Sequence, residues 1–307
     1  MQTFNADSTT DDILDGTDLH GTRVLITGTS SGLGVETARS LTVRGAHVTG
    51  VVRDIAKARA RLEEAGAHGV ELFEADLASL SAIRDFTDAY LATGNRIDVL
   101  IANAGIMACP QATTHDGFEL QFGTNHLGHF VLVNRLMPLL ATDRDARIVI
   151  LSSAAHRHSD VSLDDPNFDH TPYDEWAAYG RSKTANALFA LELDRRLRDR
   201  NIRAISVHPG VIETELMRHL TPDTSKRSGA RKMQRKTVAQ GAATTVWAGF
   251  SAAADHVGGK YCEDCAVSPV IDDPRQRPGV MRYATDAQTA RQLWSLSEEM
   301  VGESFSL

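Results

Sequence analysis

Tyr179 and Lys183 stand four residues apart in Tyr-Gly-Arg-Ser-Lys. On a helix that spacing puts two side chains on one face, one turn apart. A lysine ammonium beside a phenol favours the phenolate. It therefore lowers a tyrosine pKa from its ordinary value near ~10 toward the working pH. Such a phenol can give a proton to a carbonyl oxygen or take one from an alcohol. Many solvated helix faces carry this pair, so it gains weight only beside a nucleotide site elsewhere in the chain.

Thr22-Arg23-Val24-Leu25-Ile26-Thr27 reads as a buried strand, rich in β-branched and apolar residues. Gly28-Thr29-Ser30-Ser31-Gly32-Leu33-Gly34 follows, and Val35 to Arg44 has the spacing of an amphipathic helix. Strand, glycine turn and helix together give a glycine motif its meaning. Glycines let the backbone turn tightly and approach a pyrophosphate, whose charge meets the helix N-terminus. The spacing is Gly-x-x-x-Gly-x-Gly rather than Gly-x-Gly-x-x-Gly.

Thr27-Gly28-x-x-x-Gly32-x-Gly34, Asn103-Ala104-Gly105, Asn125, Ser153, Tyr179-x-x-x-Lys183 and Pro209-Gly210 occur in that order. In this the chain resembles the short-chain dehydrogenase/reductases over nearly its whole length. Gln121 to Phe130, Ser182 to Asn186 and Gly259 to Cys265 resemble one branch in particular. That branch includes retinol dehydrogenases, the WW-domain oxidoreductase and, more distantly, protochlorophyllide reductase.

The resemblance implies roles. Tyr179 is the general acid and base, and Lys183 tunes it and binds the nicotinamide ribose. Ser153 holds the substrate oxygen, and Asn125 anchors a water that passes protons toward Lys183. The bound nicotinamide carries the hydride, so no metal ligands are expected. Cofactor contacts are implied for Gly28, Ser30, Ser31, Gly32, Leu33 and Gly34, for Asn103, Ala104 and Gly105, and for Pro209, Gly210 and Val211. Asp76, with Leu77, matches a position near the adenine but reads equally well as a helix N-cap. Thr214 matches a hydroxyl on the carboxamide and also reads as a cap. Met107, Met217 and His156, with His158 beside it, are placed toward substrate. Cys262-Glu263-Asp264-Cys265 lacks the second ligand pair of a zinc site and reads as buried small residues.

Cofactor choice rests on Val51-Val52-Arg53-Asp54. Counting from the glycines points to Asp54, an acid for the NAD ribose. The branch resembled carries Arg-Asp in this register, with arginine toward the NADP phosphate. The expectation is NADP(H), with NAD(H) possible, because a guanidinium pairs well with phosphate.

The elements that must position these residues alternate. Strands are expected at Arg23–Thr27, His47–Val52, Val70–Glu74, Val99–Ala102, Arg147–Leu151, Arg203–Val207 and near Lys260. Helices are expected around Val35–Arg44, Ile55–Glu64, Leu80–Thr93, Gly117–Leu140, Trp176–Asp199, Val238–Ser251 and Ala287–Val301. This rhythm predicts an α/β fold: one Rossmann-type, doubly wound parallel sheet with helices on both faces. Residues 1–19 read as a flexible acidic leader before a single dinucleotide-binding oxidoreductase domain, 20–307. Residues 211–236 read as a substrate lid whose Val211, Ile212, Leu216, Met217 and Leu220 suit an apolar substrate. Within it, Lys226 to Lys236 reads as a solvated basic loop or an attractor for anions.

The chain has 307 residues, enough for one large domain, and a net charge of −8, which argues against general nucleic-acid binding. It shows no signal-peptide pattern and no apolar run of transmembrane length. Three cysteines are too few for a disulfide framework, so a cytoplasmic location is expected. The expected activity is interconversion of an apolar ketone or aldehyde with its alcohol. Double-bond reduction and non-catalytic nucleotide sensing are the alternatives. Ala187, Leu188, Phe189 and Leu191 suggest an outer helix face for a homodimer or homotetramer.

Overall fold

The computed structural model describes residues 4–220 and 235–307. The apolar runs become seven parallel strands: β1 (Arg23–Thr27), β2 (His47–Val52), β3 (Glu71–Glu74), β4 (Val99–Ala102), β5 (Ala146–Leu151), β6 (Ile202–His208) and β7 (Tyr261–Glu263). An eighth, β8 (Ala266–Val267), returns antiparallel to β7. The order across the sheet is β3-β2-β1-β4-β5-β6-β7-β8. Strand order therefore reverses between β1 and β4, where open α/β sheets form a ligand crevice at the strand carboxyl ends. Every residue of β4 and β5 is buried, as parallel strands between two helix layers must be.

The helices include α1 (Thr10–Ile13), α2 (Gly32–Val43), α3 (Ile55–Glu64), α4 (Leu80–Ala92), α5 (Gly128–Arg135), α6 (Glu175–Leu197), α7 (Val238–Val246) and α8 (Ala287–Val301). One sheet face packs Ile83, Phe86, Phe130, Leu188 and Trp294 from α4, α5, α6 and α8. The other packs Leu41 and Val246 from α2 and α7. The doubly wound architecture is the one expected.

Four local expectations are corrected. Residues 4–19 belong to the domain instead of forming a loose leader. Thr9 and Asp12 make a capping box on α1, Ile13 and Leu14 are buried, and Arg39 holds both oxygens of Asp11 at 3.0 Å. The helix expected over Gly117–Leu140 is divided by a wider π turn at Gly123–Leu127 and ends in a 3-10 turn at Met137–Leu139. The helix expected over Val238–Ser251 likewise ends at Val246 and passes into a π turn, Trp247–Ser251. Leu188 and Phe189 are buried in the core that α8 helps to close, with Leu191 packed against it, and Ala187 is buried against Tyr261, Val280 and Ala284. The side chains expected on an outer face are thus packed against other parts of the same chain.

In the expected lid, Val211–Ile212 pairs in parallel with Arg235–Lys236. Thr214 caps a 3-10 turn, Glu215–His219. Residues 221–234, with most of the basic stretch, lie outside the described residues. Of its described cations, Arg235 pairs with Glu213, and Lys236 pairs with Asp264 at 2.5 Å. No helix among the described residues is long and apolar enough to cross a membrane.

Candidate active site

A crevice of about 580 Å³ runs along the strand carboxyl ends. The glycine turn forms one wall. Gly28 has φ +79°, and a Cβ there would sit 2.9 Å from the Ala104 backbone. A Cβ on Gly34 would meet the Gly28 carbonyl oxygen at 2.1 Å. Only glycine allows β1, the turn and α2 to lie this close. Ser31, at the N-cap of α2, makes no side-chain cap bond. The first N–H groups of a twelve-residue helix therefore remain for an anion. This cradle fits a dinucleotide pyrophosphate.

A buried network ties the turn to the neighbouring elements. Thr27 Oγ1 accepts the N–H groups of Asn103 and Ala104, each at 3.0 Å. His129 spans from Thr27 Oγ1 to the Asn125 carbonyl, both at 2.9 Å. Burial lowers the His129 pKa to about 4, so the ring is neutral. Its Nδ1–H donates to Asn125, and its Nε2 accepts the Thr27 hydroxyl. Asn125 Nδ2 donates to the Ile106 carbonyl at 2.9 Å and to Ser182 Oγ at 3.0 Å, while its Oδ1 accepts from Ile106 N at 2.9 Å.

Ser153 lies two residues beyond β5 and caps a 3-10 turn, Ala154–His158, accepting from Ala155 N at 3.1 Å. Tyr179 and Lys183 lie on α6, whose first turn is capped by Asp174 through the N–H groups of Trp176 and Ala177. Lys183 Nζ donates to the Leu151 carbonyl at 2.9 Å and sits 5.7 Å from the Tyr179 ring centre. A Cβ on Gly105 would lie 3.1 Å from Asn125 Oδ1 and 3.6 Å from Lys183 Nζ, so this glycine lets the β4 loop cross the pair.

The crevice wall includes Gly28, Ser30, Ser31, Gly32, Leu33, Gly34, Arg53, Asp76, Leu77, Asn103, Ala104, Gly105, Pro209, Gly210, Val211 and Thr214. Met107, Ser153, Tyr179, Lys183 and Met217 line it too. Asp54 is the N-cap of α3, accepting from Lys57 N at 2.8 Å. Asp76 accepts from Ala78 N at 3.0 Å, an Asx turn, while remaining in the wall. Two expected site residues stand apart. Asn125 braces the loop behind the wall. His156 is fully buried and faces away from the crevice: its Nδ1 meets the Ser153 carbonyl at 2.7 Å and its Nε2 accepts from Met281 N at 3.0 Å. The tight 3-10 turn rotates His156 inward and leaves His158 and Arg157 in the wall.

Sequence reasoning missed Lys57, Arg157, Trp176, His208, Pro274 and Arg277, all in the wall. Trp176 was legible, being three positions before Tyr179 on one helix face. His208, whose Nδ1 accepts from Ala154 N at 3.2 Å, sits one residue before Pro209. Arg277 comes from a distant loop with no periodic signal.

The family model for short chain dehydrogenases matches residues 22–225. The chain belongs to this family. A short-chain dehydrogenase/reductase, prx1, from Penicillium rubens is 40% identical over 90% of this chain and 84% of its own length. Human retinol dehydrogenase 14 is 39% identical over 92% of this chain and 87% of its own. The solved structure of an uncharacterized protein from Mycobacterium paratuberculosis superposes with a TM-score of 0.76, at 37% identity over the whole of both chains. The chain is therefore an oxidoreductase of the retinol dehydrogenase-like branch, with the NAD(P)-binding fold of its family.

The electrostatics of this short-chain dehydrogenase correct one expectation. Lysine is expected to pull the phenol down. Burial instead pushes the Tyr179 pKa up to about 12, opposed by the Ser153 hydroxyl facing it. Burial also lowers Lys183 to about 7. The protonated phenol is the resident form at neutral pH, the form that can donate. The Cys262 and Cys265 thiols are buried and pushed up to about 12 and about 11 by desolvation, so they pack as thiols.

Proposed function

We propose that this chain interconverts an apolar ketone or aldehyde and its alcohol with NADP(H), Tyr179 being the general acid and base. The observation that carries the reading is the facing of the Tyr179 and Ser153 hydroxyls where two unlike halves of the crevice meet. One half is the glycine cradle with Arg53 and Lys57. The other is an apolar cluster in which Met107, Trp176 and Tyr179 are packed by Leu216, Met217 and Leu220.

The bound nicotinamide supplies or removes the hydride. The protein's residues do the rest. Ser153 positions the substrate oxygen, and Tyr179 gives it a proton in reduction or takes one in oxidation. Lys183, buried beside them, would hold the nicotinamide ribose. Arg53 would read the 2′-phosphate, because Asp54 is spent on capping α3; NAD(H) would then be the weaker cofactor. Small carbonyl compounds are the expected partners.

The test is Tyr179→Phe, which keeps the ring and removes the proton. Turnover of a panel of apolar ketones and aldehydes should fall by at least ~10²-fold, with NADPH binding retained by fluorescence titration. Turnover within a few-fold of the parent would sink the assignment.

A further inference from the structure

We infer that the substrate crevice carries a subsite for a carboxylate, built from Arg157 and Arg277, so that the substrate is amphipathic: an apolar carbonyl compound with an anionic tail. This rests on the carbonyl-reductase reading above and narrows its substrate class.

Arg157 lies in the crevice wall, yet its side chain is only 3% exposed. Its Nη2 donates to the Gly279 carbonyl, and the nearest carboxylate, Glu263, is 3.7 Å away. Its Nε and Nη1 have no hydrogen-bond partner among the described residues. A buried guanidinium with two idle donors is costly unless something accepts from them. The bland account is a brace that ties the 3-10 turn after Ser153 to the Gly279 loop, and Nη2 alone accomplishes that.

A second guanidinium, Arg277, enters the same wall from the exposed loop beside Pro274. Burial, and after it the charge of Arg157, lowers the pKa of both Arg277 and His208, so the three groups share one field. His208 is held neutral by burial. Glu263 is already occupied, accepting from Ser268 Oγ at 2.9 Å and from Gly279 N. Burial disfavours the charged form of Glu263, so two guanidiniums beside it leave this part of the wall positive and suited to an anion. A guanidinium fork matches a carboxylate in shape as well as charge.

The position is compatible with the chemistry. Arg157 stands four residues beyond Ser153 on a 3-10 turn, a rise of about 8 Å. Substrates would place the carbonyl at Ser153 and the carboxylate several methylenes away, with the chain between them on the apolar wall.

The experiment measures binding, so that it does not depend on turnover. Octanoate and octanamide, equal in length and differing in charge, are titrated calorimetrically into the full chain with NADP⁺ added. Octanoate should bind roughly ten- to a hundred-fold more tightly, the strength of a charge-assisted pair. Arg277→Gln and Arg157→Gln should each remove most of that preference, and Arg157→Lys should keep part of it. Thermal melts report whether each variant folds; Arg277 is exposed, and its variant decides the matter if Arg157→Gln does not fold. Equal affinities, no measurable octanoate binding, or a preference that survives Arg277→Gln would overturn the subsite. The Tyr179→Phe result stands or falls separately.

Discussion

At the scale of single residues, the decisive positions are those whose neighbours fix their state. Arg53 and Asp54 are adjacent, yet one lines the crevice and the other caps α3. Arg53→Ala should weaken NADPH binding about ten- to a hundred-fold and leave NADH nearly unchanged, the outcome the proposed phosphate contact demands. Asp54→Ala should cost about 0.5–2 kcal/mol of stability through the lost cap, with little effect on cofactor choice. Binding titrations with both cofactors check this; loss of NADH use in Asp54→Ala with a silent Arg53→Ala would reverse the assignment. Tyr179 shows the other side of residue-scale reasoning. Its spacing from Lys183 is legible, but its burial is not, and burial raises the phenol's pKa against the pull of the Ser153 hydroxyl.

Elements carry the second level of the argument. Aromatic residues of α5, α6 and α8 form one cluster. Trp294 lies edge-on to Phe130 at 5.0 Å and near Phe189 at 5.9 Å, with the Arg196 guanidinium 4.1 Å over its ring. Trp294→Ala should cost about 3–5 kcal/mol, the usual loss for a large buried aromatic, and a lower denaturation midpoint in urea would show it. A midpoint within error of the parent would mean that α8 is an accessory. The strands and the glycine turn were legible because their apolar runs and flanking turns are local. The break at Gly123–Leu127 was not. A Cβ on Gly123 would strike Thr114, and one on Gly128 would strike the Leu77 carbonyl oxygen at 2.4 Å. Those contacts join segments distant in sequence, and no helical periodicity reports them. His156 failed for a similar reason: its direction is set by a 3-10 turn packed against Met281 and Tyr261.

For the molecule as a whole, buried histidines set the response to acid. His126, His129, His156 and His208 are all buried, and desolvation holds their pKa values to about 3, about 4, about 3 and well below the ordinary range. Folded pKa values are depressed, so below the ordinary ~6.5 the unfolded chain takes up protons that the folded chain refuses. Stability is therefore present above about pH 6.5 and lost as pH falls toward 4, by up to about 1.4 kcal/mol per pH unit for each histidine. Melting temperature should drop steeply between pH 7 and about pH 5, well before most carboxylates titrate. A level melting curve over that interval would show that these rings are solvated or protonated in the fold.

The coat that α8 lays over α6 also has a timetable. Synthesis delivers α6 first and the tryptophan that covers it roughly a hundred residues later, a delay on the order of ten seconds at ordinary elongation rates. During that interval Leu188, Phe189 and Phe130 lack their final neighbour. The half-made chain presents an apolar stripe, the kind of transiently exposed surface that favours aggregation until its cover arrives.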